Sequence, residues 1–147
     1  MSDRLFLDTN VLLDHLLDRE PFADDAAEIW SMAERRQVVG CISAISFNLV
    51  YYVVRHQANE RAARRAVKGL QGVFEIVEVD ARIIHQAIGS AFSDFEDAIQ
   101  HACALRASAT HLITRDLPGF RRSDVPAVSP DTYLANRPDD AIPDPPS

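Results

Sequence analysis

The sequence predicts an α/β fold of three layers, α/β/α, with a central, mostly parallel sheet. Short apolar runs, several ending in a turn residue or an aspartate, alternate along the chain with longer segments whose apolar residues recur at helical spacing. That alternation favours parallel strands joined by helices covering both faces of the sheet. Size agrees: 147 residues, 47% hydrophobic and 25% charged, suit one ordinary globular domain. At such a length folding buries roughly 68–70% of the surface an unfolded chain exposes, enough for a real core.

Leu5-Phe6-Leu7 reads as a strand ending in Asp8, followed by a helix carrying Val11, Leu12, Leu13, Leu16 and Leu17. A second helix is expected from Pro21, in its first turn, to about Arg35, with Ala26, Ile29, Trp30 and Ala33 facing inward. Val38 to Ile42 forms the next strand, after which Ser43 caps a helix to about His56. Asn59 or Glu60 opens another, running to Leu70, and Gly72 breaks the chain before a strand from Phe74 to Val79. Asp80 starts a short helix that Gly89 ends. Ser93-Asp94-Phe95-Glu96 has the S-x-x-E form of a capping box, so Asp97 falls in the first turn of a helix burying Ala98, Ile99, Ala102 and Leu105. His111 to Thr114 is a strand leading to Asp116, and Ala127-Val128 a short last one. The domain is expected over 1–134. The tail over 135–147, with four prolines and three aspartates from Arg137 onward, is expected to be disordered.

Charge and cysteine usage narrow the class. A net charge of −7 argues against gripping nucleic acid by bulk positive charge. Cys41 and Cys103 lie in apolar segments without a second Cys or His at ligand spacing, and read as buried small hydrophobes in a reducing cytoplasm. The N-terminus has no basic region leading into a long apolar signal, and no stretch is long enough to span a membrane. The five histidines do not cluster, which argues against a histidine metal site. Tyr51 and Tyr52 read as helix packing.

In open α/β sheets the working crevice lies beyond the carboxyl ends of the strands. Asp8 and Asp116 fall at such ends, and Asp97 at a helix start that the crevice would include. Carboxylates gathered there repel one another unless a cation sits among them. Oxygen-only ligands suit Mg²⁺ or Mn²⁺, and such an ion with a substrate phosphate is the equipment of phosphodiester hydrolysis. Each aspartate also has a plainer reading: Asp8 as the N-cap of the first helix, Asp97 as an anion in a first turn, Asp116 as a turn residue before Pro118-Gly119. Glu96 fits the capping box, Asp94 a cap or a support for the ligands, and Asp14 a solvated or locally paired group.

Leu7-Asp8-Thr9-Asn10-Val11-Leu12-Leu13-Asp14 resembles the opening motif of PIN-domain proteins. Asp97-Ala98 resembles their middle aspartate, and Thr114-Arg115-Asp116 with Phe120 their closing motif. Order and spacing cover the chain to about Leu134, and compact proteins of this kind are similar to VapC-type ribonuclease toxins. The resemblance implies Asp8, Asp97 and Asp116 as metal-binding and catalytic carboxylates, Asn10 as a group orienting Asp8, and Thr114 as a lining hydroxyl. It also implies an RNA substrate, a cognate antitoxin and a homodimer. One departure stands out: the family places a further Glu early in the helix after the second strand, and here the slot falls at Leu49, with Asn48 beside it.

Arg61, Arg64, Arg65 and Lys68 recur at helical spacing, and Arg55 to Lys68 carries five basic residues against one acidic, a local charge of +4. This stripe reads as a solvated face, as a track for RNA phosphates, or as a contact for an acidic partner. Two rivals to the nuclease remain. One is a catalytically silent PIN-like module that binds RNA or protein. The other is a phosphotransfer domain, which needs a conjugate lysine, whereas the only lysine is Lys68 on a helix.

Overall fold

Alternation along β1 (Arg4–Leu7) decides the layering: Leu5 and Leu7 enter one apolar core, Phe6 the other. The same split recurs on β2 (Val39–Ser43), where Ile42 and Cys41 part company, and on β4 (His111–Ile113), where Ile113 and Leu112 do. Strands buried on both faces read as continuous apolar runs, which is why these segments looked uniformly hydrophobic. The computed structural model describes residues 2–137. In it β1 leads into α1 (Thr9–Leu16) and α2 (Ala23–Glu34), and β2 into α3 (Ala44–Gln57) and α4 (Glu60–Val73). β3 (Glu75–Val77) precedes α5 (Ala81–Ile88) and α6 (Phe95–Arg106). β4 is followed by a 3₁₀ turn (Pro118–Phe120), β5 (Ala127–Val128) and α7 (Pro130–Asn136).

The five strands form one sheet, ordered β3-β2-β1-β4-β5, and every pairing among the described residues is parallel. Helices α1 to α4 and α7 contribute to the core on one face; α5, α6 and the 3₁₀ turn contribute to the core on the other. This is the three-layer α/β/α fold. The chain leaves β1 towards β2 and β3 on one side and returns to β4 and β5 on the other. The switch point therefore lies between the carboxyl ends of β1 and β4, in register at Leu7 and Ile113.

Caps hold where the sequence placed them at Ser43, Asn59 and Asp80, whose side chains accept from the amides of Ile45, Ala62 and Ile83. Several boundaries differ. α2 begins at Ala23, past Pro21. α4 continues through Gly69 and Gly72 to Val73, because packing of Ala63, Ala66 and Leu70 outweighs the modest helix cost of glycine. β3 stops at Val77. α7 was unforeseen; buried Pro130 and Tyr133 attach it to the core, and it runs past residue 134. The rest of the expected tail, 138–147, lies outside the described residues. Tyr52 is exposed, its ring edge-on to His56, so it does not pack as the sequence suggested. No described helix is long and apolar enough to cross a membrane.

Asp14 requires a larger correction. It is fully buried, and Arg115, just beyond β4, reaches it with a two-pronged ion pair at 2.6 and 3.0 Å. The guanidinium also lies over the Phe22 ring at 4.0 Å, so α1, the entry to α2 and the segment after β4 are locked together. Removing one partner of a buried pair strands the other charge, which costs about 3–5 kcal/mol. Arg115→Ala should therefore destabilise the fold by about 3 kcal/mol in urea denaturation, the partly exposed Arg19 at 3.7 Å giving only partial relief. A loss below about 1 kcal/mol would show that Asp14 does not need its partner.

Candidate active site

Asp8 directly follows β1 and Thr114 directly follows β4, and parallel pairing of these two strands brings them side by side. The Asp8 amide donates to the carbonyl of Ile113 at 2.9 Å, continuing the ladder to the strand ends. The buried Thr114 hydroxyl donates to Asp8 Oδ2 at 2.8 Å and accepts from the Asp116 amide at 3.0 Å, so one oxygen ties both aspartates together. Asp8 occupies the N-cap position of α1 yet makes no capping hydrogen bond, which sets the plainer cap reading aside. Asp116 has its own brace, accepting at Oδ1 from the Gly119 amide at 3.2 Å.

Asp97 comes from the opposite layer, in the first turn of α6. Its amide donates to Asp94 Oδ1 at 2.9 Å, so Asp94 is the N-cap and the box expected around Ser93 does not form. Gly119 measures how near the elements come: a Cβ there would strike the Asp116 carboxylate and stand 2.9 Å from Asp97 Oδ2. The absence of a side chain at Gly119 is what lets the two carboxylates face one another.

Electrostatics report the same crowding. The Asp97 carboxyl is pushed up to about 7, first by burial and then by Asp94, Asp8, Asp116 and Glu96. Asp8 is raised mainly by burial, against the stabilising Thr114 hydroxyl, with Asp116 adding repulsion and Arg115 relieving some of it. Glu96 is raised by burial and by the charges of Asp8 and Asp94. Freed from the capping box, the exposed Glu96 feels the charges of Asp8 and Asp94, a coupling sequence reasoning missed because S-x-x-E offered a sufficient local explanation.

Among the described residues no three His, Cys, Asp or Glu side chains stand close enough together, as placed here, to hold one metal ion. The carboxylates are gathered but not closed. A hard ion such as Mg²⁺ is typically held by one or two carboxylates and keeps several waters, so an all-oxygen, partly open, over-acidic pocket fits it. The arginine nearest Asp8 is already committed to Asp14.

The remaining candidates fall differently. Asn10 is exposed and no hydrogen bond joins it to Asp8; Thr114 performs that orientation. Arg61, Arg64, Arg65 and Lys68 are exposed on α4, Arg64 pairing with Glu60 at 3.1 Å. Arg64 and Lys68 line a groove with Phe47, Tyr51 and Ile76 that includes none of the carboxylates. At the slot without a family Glu, Leu49 is half-buried and Asn48 exposed. One turn earlier the buried Ser46 shares a 2.8 Å hydrogen bond with Thr9 Oγ1, which accepts from Gln100 Nε2 at 2.9 Å. This neutral chain runs through Thr9, next to Asp8 in sequence, and Gln100, one turn after Asp97 on α6; the polar pattern D-T-N and that Gln were its only sequence signals.

The PIN domain model matches residues 4–118. The chain belongs to the PIN domain family. No curated protein sequence matches it. Among solved structures, a VapBC2 complex from Rickettsia felis bound to promoter DNA superposes with a TM-score of 0.64 at 15% identity, covering 86% of this chain and 98% of that one. A toxin–antitoxin complex from Klebsiella pneumoniae gives 0.64 at 23% identity, covering 86% and 97%. VapC20 of Mycobacterium tuberculosis, described as a sarcin–ricin loop cleaving toxin, gives 0.63 at 18% identity, covering 78% and 92%. At these identities the structures speak for the PIN fold.

A carboxyl raised from 3.8 to about 7 stabilises the fold fully at pH values below 3.8, and loses that contribution as the pH rises through 7. Asp97→Asn removes the ionisation. In metal-free buffer the variant should therefore gain melting temperature over the parent at pH 8 and much less at pH 5. An equal difference at both values would mean that Asp97 carries no repulsion.

Proposed function

We propose that this PIN domain is a metal-dependent endoribonuclease that hydrolyses RNA phosphodiester bonds, and the toxin of a toxin–antitoxin pair. The observation that carries the reading is the Thr114 hydroxyl bound to both Asp8 and Asp116, with Asp97 facing them across Gly119. Asp8, Asp97 and Asp116 would hold the Mg²⁺ or Mn²⁺, and an ion so held supplies an acidified water and charge neutralisation at the phosphate. Thr114 fixes the Asp8 carboxylate and the Asp116 backbone, and Asp94 fixes the start of α6 so that Asp97 is presented from a rigid turn. Gly119 leaves the space between the two strand-side and helix-side ligands open.

The solved toxin–antitoxin complexes of this fold support a cognate antitoxin as partner, and we extend to this chain a homodimeric state and a cytoplasmic setting. The buried free thiols of Cys41 and Cys103 suit that reducing compartment. The slot at Leu49 favours one second reading, a catalytically silent RNA-binding module, which retains binding without cleavage.

Incubation with total RNA separates the two: cleavage should appear with Mg²⁺ or Mn²⁺ and vanish in chelator. Asp8→Asn should reduce cleavage by orders of magnitude and weaken stabilisation by added metal, while leaving the metal-free protein at least as stable. Metal-dependent cleavage retained in that variant would remove Asp8 from the ligand set. Gly119→Ala, which pushes a methyl between Asp116 and Asp97, should depress cleavage while the purified protein keeps its helical circular dichroism. Unimpaired cleavage there would mean that the two carboxylates do not act together.

A further inference from the structure

Beside the carboxylates, on the far side of Gly119, a cavity of about 420 Å³ opens between the loop preceding α6 and the 3₁₀ turn. Phe92 and Ser93 line one wall, Pro118 and Gly119 the other, and Arg121 and Arg122 close it. Gly119 is shared: its amide braces Asp116, its missing side chain separates Asp116 from Asp97, and its backbone lines this cleft. Cleft and carboxylate pocket are thus contiguous.

Both guanidiniums are exposed, and among the described residues neither makes a hydrogen bond or an ion pair. Arg115 and Arg106, by contrast, are occupied, the first by Asp14 and the second by Asp80 at 3.0 Å. Asp124, the nearest acid in sequence, stands 3.8 Å from His101 Nε2 instead. Nor do Arg121 and Arg122 relieve the crowded carboxyls: among the described residues Arg115 is the cation that acts on Asp8, and the charges acting on Asp97 are all acidic. Their position is nevertheless fixed. Phe120, buried at 2% exposure with its ring edge-on to Phe92 at 5.9 Å, anchors the turn immediately before them.

Two unpaired cations in a cleft that shares Gly119 with an acidic site, in a chain of net charge −7, call for an anionic ligand. A nucleic acid strand crossing this rim needs positive charge for the phosphates next to the one at the carboxylates. We propose that the Arg121–Arg122 cleft is a phosphate-binding subsite for single-stranded RNA, seating backbone phosphates that flank the scissile linkage. This deepens, and rests on, the nuclease reading above. It also assigns the main phosphate contacts to the α6 side of the sheet rather than to the α4 stripe, whose groove lies among different residues.

The test is cleavage and binding of a single-stranded RNA oligonucleotide by the full chain with Mn²⁺ across a sodium chloride series. It compares the parent with Arg121→Gln/Arg122→Gln, Arg121→Lys/Arg122→Lys and Arg64→Glu/Lys68→Glu. Loss of two phosphate contacts should flatten the log–log salt dependence of binding by about 1.4, at roughly 0.7 per contact on a single strand. KM should rise about tenfold with kcat held within about twofold, as for an interaction made equally in ground and transition states. The lysine pair should keep most of the salt slope, and an unchanged melting temperature verifies the fold. Full KM and slope in the glutamine pair, or an effect confined to the α4 variant, overturns the subsite while leaving the nuclease reading intact. A parent protein that neither binds nor cleaves RNA overturns both.

Discussion

The structure turns on the parallel pairing of β1 with β4. That pairing aligns the carboxyl ends of two strands separated by about a hundred residues of chain, setting Asp8 against Thr114. A hydrogen bond from a buried hydroxyl to a carboxylate contributes about 1.5–3 kcal/mol, more than a neutral one. Here the same oxygen also receives the Asp116 amide, so strand register becomes side-chain position. A slip by one residue would turn Asp8 into a sheet face and a core leucine into the crevice.

Around this axis the protein concentrates negative charge where it is most costly. Burial raises the carboxyls of Asp8, Glu96 and Asp97, and each also feels its neighbours. Stability bought in the two apolar cores holds these groups together against their repulsion. Arg115, the cation best placed to relieve them, is instead drawn away by the fully buried Asp14. The result is a group of carboxylates left short of positive charge beside a scaffold stiffened by one buried ion pair.

The neutral chain from Gln100 through Thr9 to Ser46 shows how buried polar groups are accommodated close in sequence to Asp8 and Asp97. It links α6, α1 and α3, three elements from both sides of the sheet. Gln100 Oε1 is left buried without a partner, a costly arrangement in an interior otherwise well satisfied among the described residues. Where the PIN pattern would carry a glutamate on α3, this chain has a half-buried Leu49 and a hydroxyl network one turn earlier.

By itself the sequence determined the fold class, the order of the elements and which carboxylates were candidates, because hydrophobic period, capping residues and strand-end aspartates are local signals. It also located the caps at Ser43, Asn59 and Asp80, whose bonds span two or three residues. It misjudged Asp14, Glu96 and the box at Ser93, and it offered no sign of α7 or of what Gly119 separates. The box at Ser93 loses to a local competitor, Asp94, but the others depend on a partner far along the chain or across the sheet: Arg115 for Asp14, the carboxyl of Asp8 for Glu96, Asp3 for Tyr133 of α7, Asp97 for Gly119. Local pattern fixes which face of a strand or helix is apolar. Only tertiary packing decides which charged side chains meet, because burial and distance, not sequence spacing, set the strength of their interaction.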